Sequence, residues 1–396
     1  MTKKTFIIDA LRTPIANFGG SLKSVSAIDL GTLLISEIIK RNNLQKDALD
    51  GVILGNVLQA GLGQNPARQC GLMAGLAEST SAFTINKVCG SGMKAVDIAY
   101  KNILAGDGGI FIAGGMESMS NAPYLLNGAR WGYKIGDNKL IDEMVKDGLW
   151  CPYNNIHMGS LIDDLAREYN ITRKAQDIFS LDSHIKAVKA IDDGRFTGEI
   201  IPVDYIIKKG KKARFVNDEH PRKDTTLDKL SSLRPAFSSE GTVTAGNASG
   251  INDGAAALLI ASASVVEKLG LKPLAEIISI SEIGVEPKYF GTAPITATRK
   301  ALSMADLTIN DIELAELNEA FAAQTLIVMD KLGIDRKIVN VNGGAVAMGH
   351  PIGASGARIV VTLLHEMIKR DSKLGLASLC IGSGEGMAAI IKRVAV

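Results

Sequence analysis

Cysteine is scarce and scattered in this 396-residue chain: Cys70, Cys89, Cys151 and Cys380 stand far apart. No CxxC, no HxxxH and no carboxylate cluster has metal-ligand spacing, so the sequence proposes no metal site. A disulfide framework is equally unexpected, which leaves four reduced thiols and points to the cytoplasm. Net charge is nearly absent too, 44 basic residues against 42 acidic giving +2. That removes the broad basic field a nucleic-acid partner would require, so a charged ligand has to be met locally. No apolar run reaches the roughly 18 residues of a membrane span. The longest candidate, Ala255 to Val266, is short and rich in Ala and Ser. The opening MTKKTFIIDALRTP reaches Asp9 and Arg12 before an apolar stretch of signal-peptide length forms, so no export signal is expected there. With 46% hydrophobic residues and no low-complexity tract, the chain is expected to bury large cores in two or three domain-sized units.

What the chain does have is an internal repeat. LQKDALDGVIL from Leu44 matches LTINDIELAEL from Leu307, with Leu49, Asp50 and Leu54 against Ile312, Glu313 and Leu317. Ser91, Gly92, Lys94 and Val96 of CGSGMKAV match Ser355, Gly356, Arg358 and Val360 of GASGARIV. A weaker echo relates GGIFIAGGMES from Gly108 to LGLASLCIGSGEG from Leu374. Each half alternates strand, glycine-bearing loop and helix, which predicts βαβ units, a mostly parallel helix-covered sheet and an α/β fold. Residues 1–120 with 242–270 form one expected half and 271–396 the other. The segment 121–241 has no counterpart and is expected to be an inserted domain, since a structureless loop of that length is implausible.

Three residues stand where chemistry is expected. Cys89 follows the strand-like AFTINKV and precedes the helix-like GMKAVDIAYKNIL. A helix N-terminus favours thiolate over thiol, and Gly90 and Gly92 permit close backbone approach by a substrate. A small buried cysteine is the plain alternative. His350, just before the second SG loop, is placed by the repeat opposite Cys89 as its base, although GHP could be only a turn. Cys380 ends the apolar LGLASLC and opens IGSGEG, so the repeat brings a second thiol to the first, with the Gly382 N–H pointing into the same space. Asn318 and Glu319 occupy a strand-to-helix junction, where capping and catalysis are both open. Cys70 reads as core and Cys151, beside Pro152, as loop. The basic run from Lys208 to Arg214, continued by Arg222, Lys223 and Lys229, is a solvated face or the one concentration of positive charge offered to a phosphate.

Taken together the motifs resemble the thiolase family, in its biosynthetic branch. They run along essentially the whole chain: RTPIANFGG at Arg12, GNVLQAGLGQNPARQ at Gly55, NKVCGSGMKA at Asn86, AGGMESMS at Ala113, HMG at His157, LRPAF and GTVTAGNASGINDGAAA from Leu233, ELNEAFAAQ at Glu316, NGGAVAMGHPIGASGAR at Asn342 and SLCIGSGEG at Ser378. The resemblance implies two pseudo-symmetric halves layered α-β-α-β-α, with an inserted loop domain. It implies condensation of two acetyl-CoA to acetoacetyl-CoA and coenzyme A, reversible as thiolysis, with CoA thioesters as substrates and no fixed cofactor. Cys89 then corresponds to the acylated nucleophile, His350 to its base and Cys380 to the group that moves the α-proton. The N–H groups of Cys89 and Gly382 correspond to one oxyanion hole, and His350 with a water held by Asn318 to the other. Ser249, Phe237 and Phe321 correspond to the pantetheine tunnel, Arg222 to the nucleotide end, and His157 and Met158 to short-acyl handling. Leu149 corresponds to a residue that binds the CoA or acyl part of the substrate, and Phe290 stands near the acyl pocket where Met is frequent. A homotetramer or homodimer is implied, with YKIGDNKL in the insert as a candidate contact.

Ser383, where the family usually has Gly, and Glu385, where it has an uncharged residue, depart from the pattern and bear on turnover and pH optimum. Two alternatives stay in view: a degradative 3-ketoacyl-CoA thiolase of broader chain length, and a non-catalytic acyl-CoA-binding protein on the same fold.

Overall fold

The computed structural model describes residues 4–206 and 210–394. Its principal elements are β1 (Thr5–Arg12), α1 (Ala27–Arg41), β2 (Gly51–Gly55), α2 (Pro66–Met73), β3 (Ser81–Ile85), α3 (Ser91–Ala105), β4 (Ile110–Ser118), α4 (Met158–Glu168), α5 (Arg173–Asp192), β5 (Asn252–Ser262), β6 (Ala275–Gly284), α6 (Ala293–Met304), β7 (Leu314–Leu317), α7 (Ala322–Leu332), α8 (Ile352–Arg370), β8 (Leu374–Ile381) and β9 (Glu385–Arg393).

The main sheet runs β7-β8-β9-β6-β1-β5-β4-β2-β3, with the short strand Ala16–Asn17 added beside β5. Its two arms mirror one another. β2 lies parallel to β4 as β7 does to β8, and β4 lies antiparallel to β5 as β8 does to β9. The counterpart of β3 is reduced to the single parallel bridge Ala315↔Val339. Among the described residues, the sheet register joins the arms through Phe6↔Glu276 and Ile7↔Ala275. The expectation of a mostly parallel sheet is therefore corrected. Among the named strands, parallel ladders are those of β2 with β3 and β4, and of β7 with β8; the ladders between β1, β5, β6 and β9, and those of β5 with β4 and β9 with β8, are antiparallel. The connection from β8 to β9 is the turn Gly382–Gly384, far too short for the crossover that parallel strands need.

Five layers result. α1 and α2 cover the outer face of the first arm, packing Leu34, Ile35 and Ile38 with Val52, Ile112 and Leu259. α6 and α7 cover the second, packing Ala297, Ala301, Ile327 and Val328 with Leu317, Leu376 and Ile390. α3 and α8 lie between the arms and are buried along most of their length. They cross where the repeat places its Ser-Gly pairs. A Cβ on Gly92 would stand 2.7 Å from Ala357 N, and one on Gly356 2.5 Å from Met93 N. Any larger residue in either place would force the two backbones apart, so the repeated glycines record the closest approach of the halves.

Between β4 and β5 the chain adds no strand to the main sheet among the described residues. Its apolar residues do not collect into one core of their own. Leu161, Ile162 and Leu165 of α4 join Phe290 and Ile295 of the second half, while Ile201, Val203 and Phe215 join the first. Arg12 fastens this segment to β1, donating to Glu199 at 2.6 Å and to Asp218 at 2.7 Å with all three side chains buried. Cys151 is buried in a two-residue strand rather than lying in an open loop.

Candidate active site

The Cys89 loop is built by short hydrogen bonds. Ser91 Oγ accepts from Lys87 N at 2.8 Å and donates to Val88 O at 2.7 Å, and Asn86 Oδ1 accepts from Val88 N at 2.9 Å. Val88 is held at φ 47°, a strained value for a β-branched residue, and this aims the next side chain into the cleft. Gly90 is the N-cap of α3, so Cys89 stands at a helix N-terminus as expected. The expected thiolate does not follow. Burial pushes the thiol up to about 11, overriding the N–H groups of Gly382 and of Cys89 itself, while the Glu117 carboxylate opposes ionisation further.

His350 reaches Cys89 from the other half, Nε2 lying 3.3 Å from Sγ. The His350 backbone N–H donates to Asn252 Oδ1 at 3.0 Å, fixing the loop on the first residue of β5. Nδ1 lies 2.6 Å from Ser355 Oγ, and that hydroxyl donates to Pro351 O at 2.8 Å. With its one proton spent on the carbonyl, Ser355 accepts from Nδ1–H, which leaves the Nε2 lone pair facing sulfur. Burial, aided by the Arg358 charge, lowers His350 to about 4, so the imidazole is neutral and its Nε2 lone pair is free to accept a proton. Ser355 was not singled out for this role by sequence; its place in the repeat was the only signal. Glu117 is a second unassigned support. Fully buried, it accepts from Asn56 Nδ2, Val57 N, Leu58 N and Gly353 N at 2.6 to 3.1 Å, joining the loop after β2 to the start of α8. Burial raises it to about 7 against those donors.

Cys380, at the end of β8, faces the same space. Burial first and the nearby Cys89 second push its thiol well above the ordinary range. Asn318 lies with Nδ2 3.5 Å from His350 Nδ1 and is fully buried. The capping alternative for Asn318 falls, because Phe321 is the N-cap of α7. Glu319 instead ties Ser183, Asn340 and Val346 together below the site.

A cavity of about 520 Å³ opens onto these groups. Cys89, His350, Cys380 and Gly382 line it at its base, with Ser249, Arg222, His157, Met158, Phe237, Phe321, Phe290 and Leu149 around it. Of the expected site residues, Asn318 alone is set behind this wall. Phe18, Met119, His220 and Ile352 also line the cavity and were given no role from sequence. His157 stacks on Phe237 with centroids 4.4 Å apart, and Gly159 leaves room for that ring. Within the basic run, Arg214, Lys223 and Lys229 pair with Asp204, Asp192 and Asp224, and among the described residues of the run Arg222 alone reaches the cavity. Lys208 and Lys209 lie outside the described residues.

Comparison with known proteins decides the lineage. The family description "Thiolase, N-terminal domain" matches residues 5–264, and "Thiolase, C-terminal domain" matches 271–393. The chain belongs to the thiolase family. This thiolase is 54% identical over 393 residues to the acetyl-CoA acetyltransferase of Escherichia coli, covering 99% of this chain and 100% of that one. It is 52% identical to the acetyl-CoA acetyltransferase of Cupriavidus necator, with 98% of each chain covered. A crystal structure of the Bacillus anthracis acetyl-CoA acetyltransferase superimposes with a TM-score of 0.97 at 42% identity, covering 99% of both chains.

Proposed function

We propose that this thiolase is an acetyl-CoA C-acetyltransferase, joining two acetyl-CoA into acetoacetyl-CoA and free coenzyme A and running in reverse as thiolysis. The carrying observation is the 3.3 Å approach of His350 Nε2 to Cys89 Sγ beside Cys380, at the base of a largely apolar cavity. Cys89 sulfur bonds to the acyl carbon while its proton passes to Nε2, and the CoA sulfur leaves with the proton of Cys380. The Cys380 thiolate then takes an α-proton from the second acetyl-CoA. Burial makes that thiolate a strong base once formed. The new C–C bond forms, the acyl–Cys89 bond breaks, and the Nε2 proton returns to Cys89. Both steps place negative charge on a carbonyl oxygen. The N–H groups of Cys89 and Gly382 would meet one such oxygen, and Nε2–H with Asn318 behind it the other; each donor is worth roughly 100- to 1000-fold in rate. The atom balance closes on substrates and side chains, so coenzyme A is substrate and no further cofactor is called for.

Ser249, Phe237 and Phe321 suit a pantetheine arm, Arg222 a phosphate at the mouth, and Phe290, Leu149, His157 and Met158 a short acyl group. The alternative, a degradative 3-ketoacyl-CoA thiolase of broader chain length, is separated from this reading by initial thiolysis rates over 3-ketoacyl-CoA of increasing length. Acetoacetyl-CoA is expected to be the best substrate; its being the poorest would reverse the assignment. We further read the protein as a homo-oligomer, dimer or tetramer, acting in the cytoplasm, where its four free cysteines stay reduced. Support comes from the exposed edge strand β3 with Phe83, and from the YKIGDNKL segment, where Ile135 is 99% exposed and Trp131 nearby is 85% exposed.

A further inference from the structure

We infer that the Lys87–Glu385 ion pair is a positioning device that holds the Cys89 loop against the Cys380 loop. Lys87 precedes Cys89 by two residues, and its Nζ lies 2.7 Å from Glu385 Oε1 and 3.4 Å from Glu282 Oε2. Glu385 opens β9 directly after the turn Gly382–Gly384, opposite Ile381 in the β8–β9 ladder. The pair therefore joins the two thiol-bearing loops across the seam between the halves, at their solvent edge.

Deeper along the same seam the loops touch closely. A Cβ on Gly90 would lie 2.3 Å from Ile381 Cδ1, and one on Gly382 3.2 Å from Val88 Cγ1. At the innermost point the Gly382 N–H faces the Cys89 sulfur closely enough to favour its thiolate, against the larger effect of burial. Each loop also carries a non-glycine residue at positive φ, Val88 at 47° and Ser383 at 71°. Strained backbone of this kind persists only where its surroundings hold it. In one loop Ser91 fixes the backbone of Lys87, and Glu385 holds its side chain. The remaining charges steady the anchor. Glu282 also receives Lys94 at 2.8 Å, and Asp97 receives Lys94 and Lys101 at 2.8 Å each, so three cations and three carboxylates are matched along this edge. This gives the carboxylate at 385, which the family pattern does not call for, a task that the reaction scheme leaves open.

This inference rests on the acetyl-transfer reading, and its test is a double-mutant cycle in which wild-type condensation is measured beside the variants. Absence of wild-type turnover would count against the reading itself. The pair is partly exposed, so the expected losses are small. Glu385→Gln should lower kcat about three- to fivefold with the KM for acetyl-CoA within about twofold. Lys87→Gln should lose at least as much, adding Glu385→Gln to Lys87→Gln should change nothing further, and Lys87→Arg should stay near wild type. Matched thermal midpoints establish that the variants fold, and Lys87→Arg against Glu385→Gln carries the test if Lys87→Gln does not. Unchanged turnover in Glu385→Gln, losses that multiply, a loss confined to KM, or a Lys87→Arg enzyme as slow as Lys87→Gln would each overturn the inference.

Discussion

Burial, more than helix polarity, sets the resting state of Cys89. With the thiol raised to about 11 and His350 lowered to about 4, both partners are neutral across the physiological range. The signs fix a pH dependence. Alkylation of Cys89 by iodoacetamide in His350→Ala should climb about tenfold per pH unit from about pH 7 to 10, following the thiolate fraction. A plateau reached near pH 8 would mean that the thiolate is already formed. His350 keeps its lone pair as pH falls until about 4, so the acid limb of acetylation belongs there and not near 6.5. Ser355→Ala removes the acceptor that orients the imidazole, and CoA release in the acetylation half-reaction should slow about tenfold. An unchanged burst rate would leave Ser355 without that task. Cys89 and Cys380 were legible in the sequence because each stands between an apolar strand and a glycine-bearing turn, Cys89 in the loop after β3 and Cys380 near the end of β8. Ser355, Glu117 and Phe18 were not, since a serine inside a helix, a buried glutamate and an aromatic in a loop look ordinary until tertiary neighbours surround them.

Two helices carry the site, and their separation is set by hydrogen atoms at Gly92 and Gly356. Gly92→Ala places a Cβ 2.7 Å from a backbone nitrogen that cannot swing aside. The expected cost is about 1–3 kcal/mol of stability. Because α3 begins just after Cys89 and α8 just after His350, turnover should fall by more than stability requires, and assays well below the melting transition of the variant check this. Full activity there would show that the helix crossing does not set the thiol–imidazole distance. The repeat exposed this crossing at sequence level, although the reason for its Ser-Gly pairs came only from the packing. Strand direction was the part that pattern could not give. Alternating strands and helices imply parallel pairing, but β5 enters after the long insert and β9 after a tight turn, and both run back against their neighbours.

At the scale of the whole molecule, the duplicated halves form a cleft that neither contains alone: Cys89 belongs to the first, and His350 and Cys380 to the second. The segment between them drapes over both and narrows the cleft with His157, Met158 and Phe237. Its anchor, Arg12 with Glu199 and Asp218, is buried and paired, so Arg12→Met strands two carboxylates and should cost about 3–5 kcal/mol in denaturant unfolding. A loss below about 1 kcal/mol would place the anchor elsewhere. The measurement that bears most directly on the central claim is the intact mass of the protein after mixing with acetyl-CoA, followed by peptide mapping. The account predicts one acetyl group, on Cys89, absent from Cys89→Ala and retained by a Cys380→Ser enzyme that barely condenses. A wild-type protein that remains unacetylated, or carries its acetyl group on another residue, would contradict it.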